Sequence, residues 1–240
     1  MKIALIGYGK MGKEIEKTAI SRGHEIEMII DIGNPHDLTV ENLKKCDVAI
    51  EFTFPESAVK NYYTCFEAGI PVVSGTTGWL DKKEEVYKKC EEYNGTFFYG
   101  SNFSIGANIF FELNRRLASL MTTQPEYNVE MLEVHHIHKL DAPSGTGISL
   151  AEDIIEILPG KSAWVNDKEP AENEINIKSE RRGEVSGIHT IKYESDIDYI
   201  EITHSAKNRK GLAFGAVLAA EYCINHSGII TMKELLNIKK

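Results

Sequence analysis

A short apolar strand running into a glycine-rich turn constrains this chain more than any other feature. Ile3-Ala4-Leu5-Ile6 leads directly into Gly7-Tyr8-Gly9-Lys10-Met11-Gly12. Lys10 to Arg22 then places Met11, Ile15, Ala19 and Ile20 at helical spacing. In a G-x-G-x-x-G turn between strand and helix, the first glycine permits the tight bend. The second lets a diphosphate approach the backbone, and the third lets helix pack on strand. The diphosphate would rest on the helix N-terminus, where free N–H groups and the helix dipole favour anions. Asp31, at the end of the next strand-like run, stands 24 residues after Gly7, where a carboxylate can hold ribose hydroxyls. That carboxylate repels a 2′-phosphate and the following residue is Ile32, so Asp31-Ile32 favours NADH over NADPH.

The next segments alternate. Strands are expected over Glu25 to Asp31, Asp47 to Thr53, Pro71 to Ser74 and Thr96 to Tyr99, with helices over Glu56 to Ala68 and Leu80 to Glu92. Such alternation implies right-handed crossovers and a parallel sheet of Rossmann type. Gly75-Thr76-Thr77-Gly78 and Gly100-Ser101-Asn102-Phe103 both follow strands, on the sheet edge where open α/β folds bind ligands.

From residue 105 the pattern changes. A helix (Ile105 to Met121) precedes a long alternating strand (Tyr127 to His138), then a helix over Gly147 to Leu158. Lys161 to Glu174 reads as a polar loop, and Ile175 to Glu180, Glu184 to Glu194 and Tyr199 to His204 as strands. Leu212 to Ile224 is an apolar helix able to return to the first sheet. The expected class is α/β: an N-terminal Rossmann-type parallel sheet plus an α+β substrate domain with an open mixed sheet. The expected division is a dinucleotide-binding domain at 1–104, completed by helices at about 211–240, and a substrate-binding and oligomerisation domain at 105–210.

Val134-His135-His136-Ile137-His138-Lys139 gathers three of the eight histidines beside a lysine. On a strand His135 faces one way and His136 and His138 the other, so the imidazoles do not converge on one ion, and no metal is expected. The turn Ser144-Gly145-Thr146 opens a helix and offers N–H groups and hydroxyls to a carboxylate, with Thr146 also available as a helix cap. Arg181, His189, His204, Lys207 and Arg209 add later cations. The net charge of −9 argues against nucleic acid or an anionic membrane surface as partner, but not against a small dicarboxylate facing a local cluster of cations. Cys46, Cys65, Cys90 and Cys223 lack metal or redox spacing, and no apolar run reaches the length of a membrane span or a signal-peptide core. The expectation is a cytoplasmic protein.

Glu133, His135, His136, Lys139 and Asp141-Ala142-Pro143-Ser144-Gly145-Thr146 match the pattern E-x-H-H-x-x-K-x-D-A-P-S-G-T, and the chain resembles the 4-hydroxy-tetrahydrodipicolinate reductase (dihydrodipicolinate reductase) family. Glu51-Phe52-Thr53, Gly75 to Gly78, Asn102 to Gly106, Arg181 to His189 and Ile202 to Arg209 extend the resemblance along the whole chain. The resemblance implies reduction of a small dicarboxylate with NADH or NADPH in diaminopimelate and lysine biosynthesis, by a homotetramer joined through its substrate-domain sheets. It also implies His135 as proton donor or acceptor and Lys139 as second proton donor. His136, Ser144, Gly145 and Thr146 become carboxylate contacts. The implied cofactor contacts are Gly7, Tyr8, Gly9, Lys10, Met11, Gly12, Asp31, Gly75, Thr76, Thr77, Gly100, Ser101, Asn102 and Phe103. Many members carry a longer turn, G-x-x-G-R-M-G, than the one here.

Overall fold

The computed structural model describes residues 1–208 and 210–238. In chain order the elements are β1 (Lys2–Ile6), α1 (Lys10–Ser21), β2 (Glu25–Ile30), α2 (Val40–Leu43), β3 (Val48–Glu51), α3 (Pro55–Ala68), β4 (Val72–Ser74), α4 (Lys83–Glu92) and β5 (Thr96–Tyr99). They continue as α5 (Ile105–Met121), β6 (Asn128–His135), α6 (Gly145–Ile157), β7 (Ala163–Asn166), β8 (Glu174–Arg181), β9 (Ile188–Glu194) and β10 (Tyr199–Ser205). The chain closes with α7 (Lys210–Cys223), β11 (Gly228–Ile230) and α8 (Met232–Leu235). Among the described residues two compact units result: 1–105 with 210–238, and 106–208.

The first unit is a six-stranded sheet in the order β11-β5-β4-β3-β1-β2, parallel at every pairing. Successive strand residues face opposite sides, and both sides are apolar. Ile3, Leu5, Val48, Ile50, Val73 and Phe98 pack against α1 and α7 through Ile15, Ala19, Ala213, Val217 and Ala220. Ala4, Ile6, Ala49, Val72 and Phe97 pack on the other side against Ala58, Tyr62, Cys65 and Phe66 of α3. A sheet covered on both faces needs apolar residues on both sides of its strands, as the runs Ile3 to Ile6, Val48 to Ile50 and Val72-Val73 supply. The four cysteines are free and buried.

The second unit is a five-stranded mixed sheet, β10-β9-β6-β8-β7, with β6, β8 and β7 mutually parallel and β9 and β10 antiparallel. Its core joins Val129 and Met131 of β6, Ile175 and Ile177 of β8 and Ile191 and Tyr193 of β9 to Phe110 and Ala118 of α5 and Leu150, Ala151 and Ile154 of α6.

Several expectations are corrected. The polar stretch 161–174 contains β7, whose residues are all half-buried and so lack the alternation that marks a strand. The strand ending the histidine run stops at His135, because Lys139 N–H folds back onto the His136 carbonyl (3.1 Å) and Ile137 N–H bonds the Gly183 carbonyl (3.1 Å). α6 begins at Gly145, and its cap is Ser144 rather than Thr146.

Candidate functional site

In the second unit the sheet register builds the site. Along β6, Val129 and Met131 share a face with Glu133 and His135, so a face that is apolar at one end turns polar and titratable at the other. Glu133 pairs with Ser179 on β8 and His189 on β9, and His189 pairs with His204 on β10. His135 pairs with Arg181. Glu133 is 1% exposed and accepts from the Ser144 amide (3.0 Å), the Ser144 hydroxyl (2.5 Å) and the Ser179 hydroxyl (3.0 Å). The Ser144 hydroxyl also accepts from the Gly147 amide at 3.0 Å, capping α6, and lies 3.2 Å from His189 Nε2. A Cβ at Gly147 would stand 2.6 Å from Glu133 Oε2, which is why a glycine belongs there. The Glu133 carboxylate therefore fixes the start of α6 against the sheet.

Around this carboxylate stand His135 Nδ1 and His189 Nε2, each 3.9 Å away, and the Arg181 guanidinium at 4.0 Å. The two imidazoles meet edge to face, with centroids 5.1 Å apart. Burial lowers the pKa of His135, outweighing the pull of Glu133, and lowers that of His189 to about 4, with His135 nearby adding to the effect. Both are neutral at pH 7. His135 Nδ1 and His136 Nδ1 are buried without a hydrogen-bond partner. Lys139 bonds both oxygens of exposed Asp141 (2.7 and 2.8 Å), and that contact holds the Asp141 carboxyl below its usual range. Arg181 clamps the same loop by donating to the carbonyls of Lys139 (3.1 Å) and Asp141 (2.6 Å).

His135, Lys139 and Ser144 thus converge, with Gly145 exposed and Thr146 half-buried on the same turn. Because the Ser144 side chain is spent inside the protein, Gly145 and Thr146 are the outward groups. His138 is not drawn in; it lies on the surface 3.2 Å from Glu184. Arg209 lies outside the described residues. By sequence alone Glu133 has no role beyond the family pattern, and Arg181 and His189 are only two among several later cations. Their roles come from strand register, although the two-residue offset from Glu133 to His135 already placed both on one face. Glu133, His135 and His189 offer donor atoms all within 4.8 Å of one another, a set able to approach a divalent ion. In this structure the Glu133 member of that set already accepts from Ser144 and Ser179 and stands 4.0 Å from Arg181.

In the first unit Gly7 takes a φ of +96°, and a Cβ there would meet the Phe52 carbonyl oxygen at 2.0 Å. A Cβ at Gly12 would meet the Gly7 oxygen at 2.2 Å, whereas one at Gly9 would enter open space. No side chain caps α1 and its first turn holds no acid, so its N-terminal amides are free to meet an anion. These features fit a dinucleotide. A cavity of about 500 Å³ joins Gly7, Tyr8 and Gly9 to Asp31, Ile32, Thr53 and Lys60. A groove of about 380 Å³ joins Gly9, Lys10, Met11 and Gly12 to Phe52, Thr53, Gly75, Thr76 and Thr77. Gly100 N–H bonds the Ser74 carbonyl at 3.2 Å. The Phe103 ring is buried on Phe98 and Phe52, leaving Ser101 and Asn102 as the accessible groups of that turn.

Fold and site together are those of an NAD(P)-dependent oxidoreductase of Rossmann type. Residues 1–103 match the family model for the dihydrodipicolinate reductase N-terminus, and residues 106–236 that for its C-terminus. The chain is 50% identical over 239 residues to a 4-hydroxy-tetrahydrodipicolinate reductase of Christiangramia forsetii, covering 99% of this chain and 98% of that one. It is 33% identical to one from Archaeoglobus fulgidus, covering 98% of this chain and all of the relative. A dipicolinate-bound dihydrodipicolinate reductase from Paenisporosarcina sp. TG-14 superposes with a TM-score of 0.79 at 25% identity, over 100% of this chain and 99% of that one. The chain belongs to the dihydrodipicolinate reductase family.

Proposed function

We propose that this protein reduces 4-hydroxy-tetrahydrodipicolinate to tetrahydrodipicolinate with NADH or NADPH, as a step of diaminopimelate and lysine biosynthesis. The observation that carries the reading is the buried Glu133, which ties the start of α6 to a cluster of His135, His189 and Arg181 beside the Lys139 loop. Bound NADH or NADPH supplies the hydride for carbon four of the ring, whose hydroxyl leaves as water. The protein supplies position, charge and a proton.

One substrate carboxylate rests on the Gly145 and Thr146 amides, with His136 and Lys139 as further donors. The dipicolinate bound to the structural relative is a planar dicarboxylate of the same class, and we expect this site to accept it. The reaction balance needs one proton besides the hydride, and His135 and Lys139 are the groups to hold it. His135 is neutral before the ligand arrives because burial disfavours its cation. A dianion beside it reverses that preference, so the proton comes with the substrate. The glycine turn, Asp31, Gly75 to Thr77 and Gly100 to Phe103 hold the dinucleotide, and Asp31-Ile32 favours NADH.

We also place the protein in the cytoplasm as a homotetramer. No helix among the described residues is long and apolar enough to cross a membrane. Edge strand β10 and the preceding turn expose Ile197, Tyr199 and Ile200, apolar surface suited to a second copy.

The test is turnover. Purified protein given the freshly generated cyclic substrate should oxidise NADH and yield tetrahydrodipicolinate. Absence of substrate-dependent oxidation with either nucleotide refutes the function. Equal or better use of NADPH refutes the reading of Asp31.

A further inference from the structure

We infer that Glu51, a residue with no assigned role, is the positioning residue that sets the turns after β3 and β4 in the nucleotide site. The inference rests on the dinucleotide reading above and extends it to a group that never meets the ligand.

Glu51 closes β3 and is fully buried. Its Oε2 accepts from the hydroxyls of Ser74 (2.8 Å) and Thr76 (2.9 Å), and its Oε1 from the Thr53 hydroxyl and, at 3.4 Å, the Asn61 amide. One carboxylate therefore reaches the turn after β3, the turn after β4 and the helix α3. The contacts close into a ring. Thr53 N–H donates to the Thr76 hydroxyl (2.8 Å), and Thr76 N–H donates to the Ser74 hydroxyl (3.3 Å), which pairs with Tyr62 at 2.7 Å. Packing gives the same result independently. A Cβ at Gly75 would stand 2.1 Å from the Phe52 ring, and one at Gly7 would strike the Phe52 carbonyl. The glycine turn, Phe52-Thr53 and Gly75-Thr76 are thus locked edge to edge, and they line one groove.

Among the described residues no cation pairs with Glu51. Its oxygens are met by hydroxyl and amide donors alone, so a glutamine replacement strands no counter-charge and leaves no cavity. The glutamine side chain would present an NH2 where two hydroxyls now donate, and the Thr76 turn would lose its anchor.

The experiment compares wild type, Glu51→Gln and Ser74→Ala in steady-state kinetics, with direct fluorescence titration of NADH. Glu51→Gln should raise the KM and Kd for NADH about tenfold, the size of one lost buried hydrogen bond. The KM for the cyclic substrate should stay at its wild-type value and kcat within about twofold. A purely structural role would lower the yield of active protein and so kcat, leaving the KM for NADH unmoved. Ser74→Ala removes one donor from the same oxygen and should shift the NADH KM in the same direction; it decides the matter if Glu51→Gln does not fold. A folded variant binding NADH as wild type does overturns the inference alone. Wild type that binds neither NADH nor NADPH overturns the dinucleotide reading and the inference with it.

Discussion

Glu51 and Glu133 are buried carboxylates near the C-terminal ends of strands, and each ties a ligand-facing turn to its sheet, yet their surroundings differ. Glu51 is met by hydroxyls and an amide, with no cation beside it among the described residues, and burial raises its pKa. Glu133 is met by two hydroxyls and an amide and also by Arg181 and two imidazoles at 3.9–4.0 Å. The first arrangement sets shape without adding positive charge, which suits a nucleotide whose anionic part is held by a helix N-terminus. The second sets shape and also assembles donors and cations, which suits a small dianion.

The largest expected effect lies where charge meets the ligand. Lys139→Ala should lower kcat/KM by about 100-fold or more, a loss of roughly 3 kcal/mol of transition-state stabilisation. Wild-type kcat/KM in that variant removes Lys139 from the reaction. Next come the hubs themselves. Glu133→Gln leaves Arg181 without its buried counter-charge and should cost about 3 kcal/mol in chemical denaturation. Glu51→Gln strands no cation and should cost nearer ~1 kcal/mol. Equal or reversed costs break the contrast between the two sites.

A pH effect follows from His189, whose pKa in the fold is about 4 against an ordinary value of 6.5. The unfolded chain binds this proton more readily, so the neutral imidazole stabilises the fold above about pH 6.5. That contribution, on the order of 3 kcal/mol, disappears as pH falls from about 6.5 towards about 4. The stability difference between wild type and His189→Gln should therefore shrink across that window; a difference constant with pH contradicts a buried neutral His189. A last effect is on the nucleotide. Asp31→Asn should weaken NADH binding by about tenfold and narrow the gap to NADPH, as read from KM with each nucleotide.

Local patterns made the first sheet legible. Short apolar runs, Pro55 at the start of α3 and the glycine turn all act within a few residues. Three short elements, α2, β7 and β11, escaped notice. Each spans three or four residues, too few for a period to show, and β7 and β11 are held by pairing with β8 and β5. The site divides the same way. His135, Lys139 and the Ser144 turn lie close together in the chain and stood out as a group. The partnership of Glu133 with Ser179 and His189 depends on how three strands register, which no local pattern encodes. Ser144 illustrates the difference: its type suggested a ligand contact, while its hydroxyl is committed to Glu133 and to capping α6.

The most direct test of a charge-built second site is the proton taken up with a dicarboxylate. Calorimetric titration of the protein with dipicolinate near neutral pH, in two buffers of different ionisation enthalpy, reads that number. Wild type should take up protons on binding, because His135 is neutral beforehand and charged beside the bound dianion. Uptake should vanish in His135→Gln. Binding without uptake, or uptake unchanged in His135→Gln, would contradict a charge-built second site.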